Sequence, residues 1–131
     1  MINIKPNTVK LELSTGDIVE LLINFSGMAL LRQKNKLWYE TLNKVLVNSD
    51  ENNIDLLEIA DVMYYAYVMN NLYSENKNYI SYSNFMKLLP FDLTKISNTF
   101  YQLVSGEKKM NSAIHSEKGQ AEVVPMSKRL S

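Results

Sequence analysis

The sequence predicts a mainly α, α+β protein: a small helical domain of four to five helices with an N-terminal β-hairpin and a disordered C-terminal tail. Three observations carry this reading. Residues 8–24 alternate apolar and polar positions around a turn, segments after residue 26 repeat apolar residues at helical spacing, and residues 107–131 contain no aromatic residue and no sustained period. A length of 131 residues suits one domain, and 46% hydrophobic residues supply a core for it. The composition shift after Gly106 divides the chain into a domain over 1–106 and a flexible tail over 107–131.

Thr8-Val-Lys-Leu-Glu-Leu13 places Val9, Leu11 and Leu13 on one face of a strand. Ser14 to Asp17 supplies turn residues, with Gly16 free to take a positive φ, and Ile18 to Asn24 reads as the returning strand. A lone hairpin is marginal in water, so this one must lie on a helix or join another sheet.

Ser26 is a candidate cap for the first helix, with Met28, Leu30 and Leu31 at helical spacing. Arg32 to Lys36 reads as either a turn or a solvated helix face. Leu37, Trp38, Thr41, Leu42, Val45 and Leu46 mark a second amphipathic segment, and Asn48 to Asn53 a loop. Asn53 or Asp55 caps a third helix that runs to about Leu72. Its eight successive apolar or aromatic residues, Val62 to Met69, cover every side and require burial all round, in the domain or against a partner. Ser83 is placed to cap a short helix through Leu89, which Pro90 stops. Asp92 caps the last helix, whose Leu93, Ile96, Phe100, Leu103 and Val104 keep one apolar face until Gly106 ends it.

Composition excludes several classes of chemistry. With no cysteine there is no disulfide, thiolate nucleophile or Cys-based zinc site, which suits a reducing cytoplasm. The N-terminal sequence lacks the pattern of a signal peptide, and no apolar run approaches the roughly 20 residues of a membrane span, so a soluble protein with no membrane partner is expected. Fourteen acidic against fourteen basic residues leave no basic excess for a phosphate backbone, which disfavours nucleic acid.

The single histidine, His115, falls in the tail, where nothing holds it against a nucleophile. Asp55, Glu58 and Asp61 share a helix face, but near a helix start such carboxylates serve the dipole. No HExxH, EF-hand or phosphate-binding loop occurs. The expected catalytic, metal and cofactor sets are therefore empty, and the chain is read as a non-enzyme. The alternative is a small DNA-binding phage or bacterial regulator that uses the last two helices as a helix-turn-helix. Its second helix offers Lys95, Asn98 and Gln102 to a groove but leads with Asp92.

Two features favour a protein partner instead. Tyrosine and methionine crowd the third helix, and burying every hydroxyl requires a hydrogen-bond acceptor or donor for each, so some are expected at an interface. The tail is an arm able to order on contact. The candidate partner-binding residues are Trp38, Tyr64, Tyr65, Tyr67, Met69 and Tyr73, and replacing Tyr65 and Met69 together by alanine is expected to weaken capture while the fold survives. A hairpin edge and an all-round apolar helix both favour a homo-oligomer.

The order of these elements resembles a known family. A hairpin leads into Phe25-Ser-Gly-Met-Ala-Leu-Leu-Arg32, followed by an acidic loop. Then come Leu56-Leu-Glu-Ile-Ala-Asp-Val-Met-Tyr-Tyr-Ala-Tyr67, Ser81-Tyr-Ser-Asn-Phe-Met-Lys-Leu-Leu89 and Ile96-Ser-Asn-Thr-Phe-Tyr-Gln-Leu-Val104. Over residues 8–106 this is similar to the tail assembly chaperones of long-tailed phages and prophages of Gram-positive bacteria. The resemblance rests on element order and hydrophobic placement. It implies a protein made in the host bacterial cytoplasm that binds the tape measure protein, keeps it soluble and helps recruit tail tube subunits. Members are often also made in a longer, frameshifted form, and Lys108-Lys109 lies where a slippery codon run would fall. The family supplies no catalytic residue to carry over.

Overall fold

The structure, a computed structural model, describes residues 7–48 and 55–105. Among these residues two strands precede five helices: β1 (Val9–Glu12), β2 (Ile18–Leu21), α1 (Phe25–Lys34), α2 (Lys36–Val47), α3 (Leu56–Tyr73), α4 (Tyr82–Leu88) and α5 (Leu93–Val104). The α+β class read from the sequence is the observed one. The loop expected over Asn48–Asn53 lies, apart from Asn48, outside the described residues, as do Gly106 and the tail.

The hairpin closes as its turn residues dictate. The Leu13 amide donates to the Asp17 carbonyl (2.8 Å) and the Gly16 amide to the Leu13 carbonyl (2.9 Å), with Gly16 at φ 93°. The antiparallel register pairs Val9 with Leu21, Lys10 with Glu20, Leu11 with Val19 and Glu12 with Ile18. Leu11, Leu13 and Leu21 are buried, whereas Lys10, Glu12, Glu20 and Ile18 are exposed. The second strand is shorter than its apolar pattern suggests. After Leu21 the Leu22 amide leaves the ladder and donates to the Ala66 carbonyl of α3 (3.1 Å), fastening the hairpin to that helix.

Two helix starts differ from the sequence reading. Asn24, not Ser26, caps α1: it is extended (φ −152°) and its Oδ1 accepts from the Gly27 amide at 2.7 Å. Ser81, not Ser83, caps α4, its Oγ accepting from the Asn84 amide at 3.3 Å. In both cases the true cap sits two residues earlier, where the backbone is still extended and a side-chain oxygen can reach the third amide ahead. The Arg32–Lys36 stretch is a helix face interrupted at one residue. Asn35 ends α1 by donating its amide to the Leu31 carbonyl (2.7 Å) and starts α2 by accepting from the Trp38 amide (3.1 Å). Asp55 and Asp92 cap α3 and α5 as expected.

The third helix is the axis of the fold. It packs against α1, α2, α4, α5 and β2, and every residue from Val62 to Met69 is buried. That explains its sequence: a helix with neighbours on all sides has no solvated stripe to keep polar. Helix α1 approaches closely, since a Cβ on Gly27 would stand 3.3 Å from the Met69 Cβ and 3.1 Å from Asn24 Oδ1. Glycine at this point lets the two helices touch backbone to side chain.

Candidate partner-binding surface

The tyrosine cluster of α3 is core, and this corrects the expectation that it meets a partner. Tyr64, Tyr65, Tyr67 and Met69 are buried, while Trp38 and Tyr73 are half-buried. Burial is sustainable because the hydroxyls are satisfied inside the domain. Tyr64 donates to the Ile80 carbonyl (2.9 Å), and the Tyr67 hydroxyl oxygen accepts from the Ile80 amide (2.8 Å). Together they clamp both backbone groups of one residue in the segment between α3 and α4. The Tyr65 hydroxyl hydrogen-bonds the Thr41 side chain of α2.

Ring contacts complete the cluster. Trp38 stacks on Tyr65 with centroids 5.6 Å apart and meets Tyr64 edge-on at 5.5 Å. Phe85 of α4 lies 5.2 Å from Tyr64 and 5.1 Å from Tyr67. These tyrosines and Trp38 therefore join α2, α3 and α4 by packing and hydrogen bonds at once. Of the six expected contact residues, the cluster brings Trp38, Tyr64, Tyr65 and Tyr67 together.

The carboxylates of α3 are committed to structure as well. The Asp55 amide donates to Glu58 Oε1 (3.2 Å), the reciprocal half of a capping box, and Asp61 Oδ1 accepts from the Tyr82 hydroxyl at 2.6 Å. Near the C-terminal end of α3, Asn71 Nδ2 donates to the Tyr67 carbonyl (2.8 Å) and Asn71 Oδ1 accepts from Asn76 Nδ2 (2.7 Å). This amide pair holds the turn in which Glu75 takes φ 60°. His115 lies outside the described residues.

The tyrosine environment makes stability depend on alkaline pH. Burial pushes the Tyr64 hydroxyl up to about 12, with Tyr79, Tyr67 and Tyr65 adding to it. Tyr82 rises to about 12 chiefly through its bond to Asp61, with burial second. Tyr65 is raised by burial and by Asp61, against the lowering bond from Thr41. In the unfolded chain all three titrate near the ordinary value of 10.0. Their contribution is thus complete below pH ~10 and is lost as pH rises above it, toward about 12 for Tyr64 and Tyr82, because the unfolded state releases protons that the folded state keeps. Between neutral pH and pH ~10 these groups should leave the melting temperature unchanged, and above pH ~10 it should fall. The fall should be shallower in Tyr64→Phe and Tyr82→Phe, with tyrosinate absorbance reporting the titration; equal slopes in wild type and variants would contradict the assignment.

Exposed large apolar side chains lie elsewhere, among them Phe25 on α1, Leu37 and Val47 on α2, Leu57 on α3 and three around α5. Phe91 (86% exposed) ends the α4–α5 turn, and Leu93 (49%) and Tyr101 (61%) stand on α5 itself. Leu93, Ser97 and Tyr101 follow i, i+4, i+8 spacing and form one stripe. The opposite flank of α5 faces the hairpin, where Lys95 Nζ is 3.8 Å from Glu12 Oε1 and Thr99 is buried. Ile96 and Phe100 point into the core between the two flanks. The stripe is bordered by exposed, uncharged Thr94, Asn98 and Gln102.

Sequence reasoning assigned Leu93 to the buried face and passed over Phe91 and Tyr101. Helical projection carries the missing signal, since Tyr101 falls well off the arc defined by Ile96 and Phe100. For groove reading, the same helix has its one cation, Lys95, turned toward Glu12. Among the described residues no helix is long and apolar enough to cross a membrane. Comparison with protein-family models, curated proteins and solved structures gives no match for this chain.

Proposed function

We propose that this protein is a non-catalytic chaperone of the kind that serves phage tail assembly. In this reading it holds a helix-rich tape measure protein on the α5 stripe, keeps it soluble in the host bacterial cytoplasm and helps recruit tail tube subunits. One observation supports the reading beyond the family resemblance: Leu93 and Tyr101 are exposed on one flank of α5, beside exposed Phe91, while Tyr64 and Tyr67 of the central helix spend their hydroxyls internally. An uncharged, adaptable apolar stripe suits the apolar face of a partner helix laid alongside it. The carboxylates that could have supported acid–base chemistry are instead occupied in a cap and a tyrosine bond.

Co-expression with a phage tape measure protein tests this directly. The wild-type chain should keep that protein soluble and co-purify with it. Leu93→Asp combined with Tyr101→Asp should lower capture by about tenfold or more, since two central apolar contacts of a helix-in-groove interface are removed. Both positions are exposed, so the variant's melting temperature should stay close to wild type. Undiminished capture by a folded double variant would reject the α5 stripe.

A further inference from the structure

We infer that residues 123–126 of this chain fold back onto α5 and cover the stripe of Leu93, Ser97 and Tyr101, making the chain's own C-terminal segment the resident occupant of that surface. The inference stands on the exposure of the stripe and on where the chain leaves it, not on the function proposed above. A partner that uses the same stripe would have to displace the segment.

The stripe has a notch at its centre. Leu93 and Tyr101 are exposed, and Ser97, one four-residue step from each, is small and half-buried. The two large side chains stand about 12 Å apart along the helix, with Ser97 midway. Exposed Phe91 continues the apolar surface past Leu93. One apolar side chain seated over Ser97 therefore meets a large neighbour on either side.

The path of the chain selects the occupant. Ser105 lies one turn beyond Tyr101, and residues 106–131 continue from that end of the stripe. From Ser105 back to Leu93 is about 18 Å along the axis. On flexible-coil scaling the chain from Ser105 to Val123 has an end-to-end distance of roughly 25 Å. A tether whose natural length is close to the span gives a high effective concentration, so a contact of low intrinsic affinity suffices. Phe25, Leu37 and Leu57 are also exposed, but they stand on helices other than the one from which this segment issues.

The chemistry of the segment fits. Val123-Val124-Pro125-Met126 is the longest run beyond Ser105 without a polar side chain. Proline holds the residue before it extended. Val124 and Met126 then project to one side about 6–7 Å apart, close to a four-residue helical step of about 6 Å. Running antiparallel to α5, Val124 seats over Ser97, and Met126 lies between Leu93 and Phe91. Lys128 and Arg129 follow at the leading end of the helix, where Asp92 is exposed. Asp92 and Lys95 are the two charged residues between Phe91 and Ser105, and Lys95 is turned toward Glu12 on the hairpin flank. The basic end of the chain thus meets a carboxylate with no cation beside it on the stripe, a complementarity the parallel direction would forfeit.

The chain has no cysteine, so Ser127→Cys gives the full-length protein a single site for a nitroxide spin label beside Met126. Amide resonances of Leu93, Ser97 and Tyr101 should lose intensity to the nitroxide, and those of Phe25 and Leu37 should keep theirs. Combining Val124→Asp with Met126→Asp should lower the docked-to-free ratio by about tenfold or more, because two apolar contacts are lost. Leu93→Asp, at an exposed position, should weaken docking from the other side while melting stays close to wild type. Spin-labelled chain of natural isotopic abundance, mixed with isotope-labelled wild type, should leave the amides at full intensity, since the contact forms within one chain. Broadening in that mixture, broadening indifferent to the substitutions, or undiminished α5 resonances in the labelled chain would each overturn the inference.

Discussion

Replacing Phe85 with alanine is expected to destabilise the domain by about 3–5 kcal/mol, the usual range for emptying a buried aromatic site. Phe85 is fully buried, and its ring lies between Tyr64 and Tyr67. Helix α4 has only seven residues, too few to persist on its own, so its place depends on this anchor. Against a total stability of about 5–15 kcal/mol the loss is large, and melting temperature should drop by at least ~12 °C. Urea titration followed by circular dichroism measures the energy. Hydrogen exchange at the Ile80 amide, which bonds Tyr67, should accelerate with it. A loss below ~1 kcal/mol would show that α4 is held by something other than this side chain.

Met69→Ala is expected to cost about 2–5 kcal/mol, with the upper half favoured because α1 approaches Met69 through Gly27 and has little room to collapse into the void. Adding Tyr65→Ala removes the stack on Trp38 and the bond to Thr41 as well. That pair was the sequence's natural choice for abolishing partner capture in a surviving fold. The structure turns it into a test of folding, and Leu93 with Tyr101 becomes the pair that tests capture. Thermal melts of the two double variants should therefore diverge: the core pair collapses early, and the surface pair melts near wild type. Similar melting curves would contradict the separation of core from surface.

The fold was legible where one local rule decides an element. Alternation with a Gly-containing turn yields the hairpin, and the unbroken apolar run of Val62–Met69 yields the central helix. Asp55 and Asp92 are caps because each directly precedes a periodic segment. At Ser26 and Ser83 several polar residues competed, and the outcome depended on where tertiary contacts bend the backbone into an extended cap.

The binding surface was less legible, because residue type does not say which hydroxyls find partners at home. Tyr64 and Tyr67 look like recognition residues until Ile80, more than ten positions away, is brought to them. What separates core from surface on α5 is the side on which β1 lies, marked by Lys95 and Glu12, a contact between residues 83 positions apart.

The clamp on Ile80 has an evolutionary consequence. Both hydroxyls grip main-chain atoms, so they place no demand on the side chain at position 80. Homologous sequences should retain the tyrosine pair at 64 and 67 while position 80 drifts among hydrophobic residues of different shape. Substitution of either tyrosine by phenylalanine in a descendant should be accompanied by a shortened or rebuilt connection between α3 and α4.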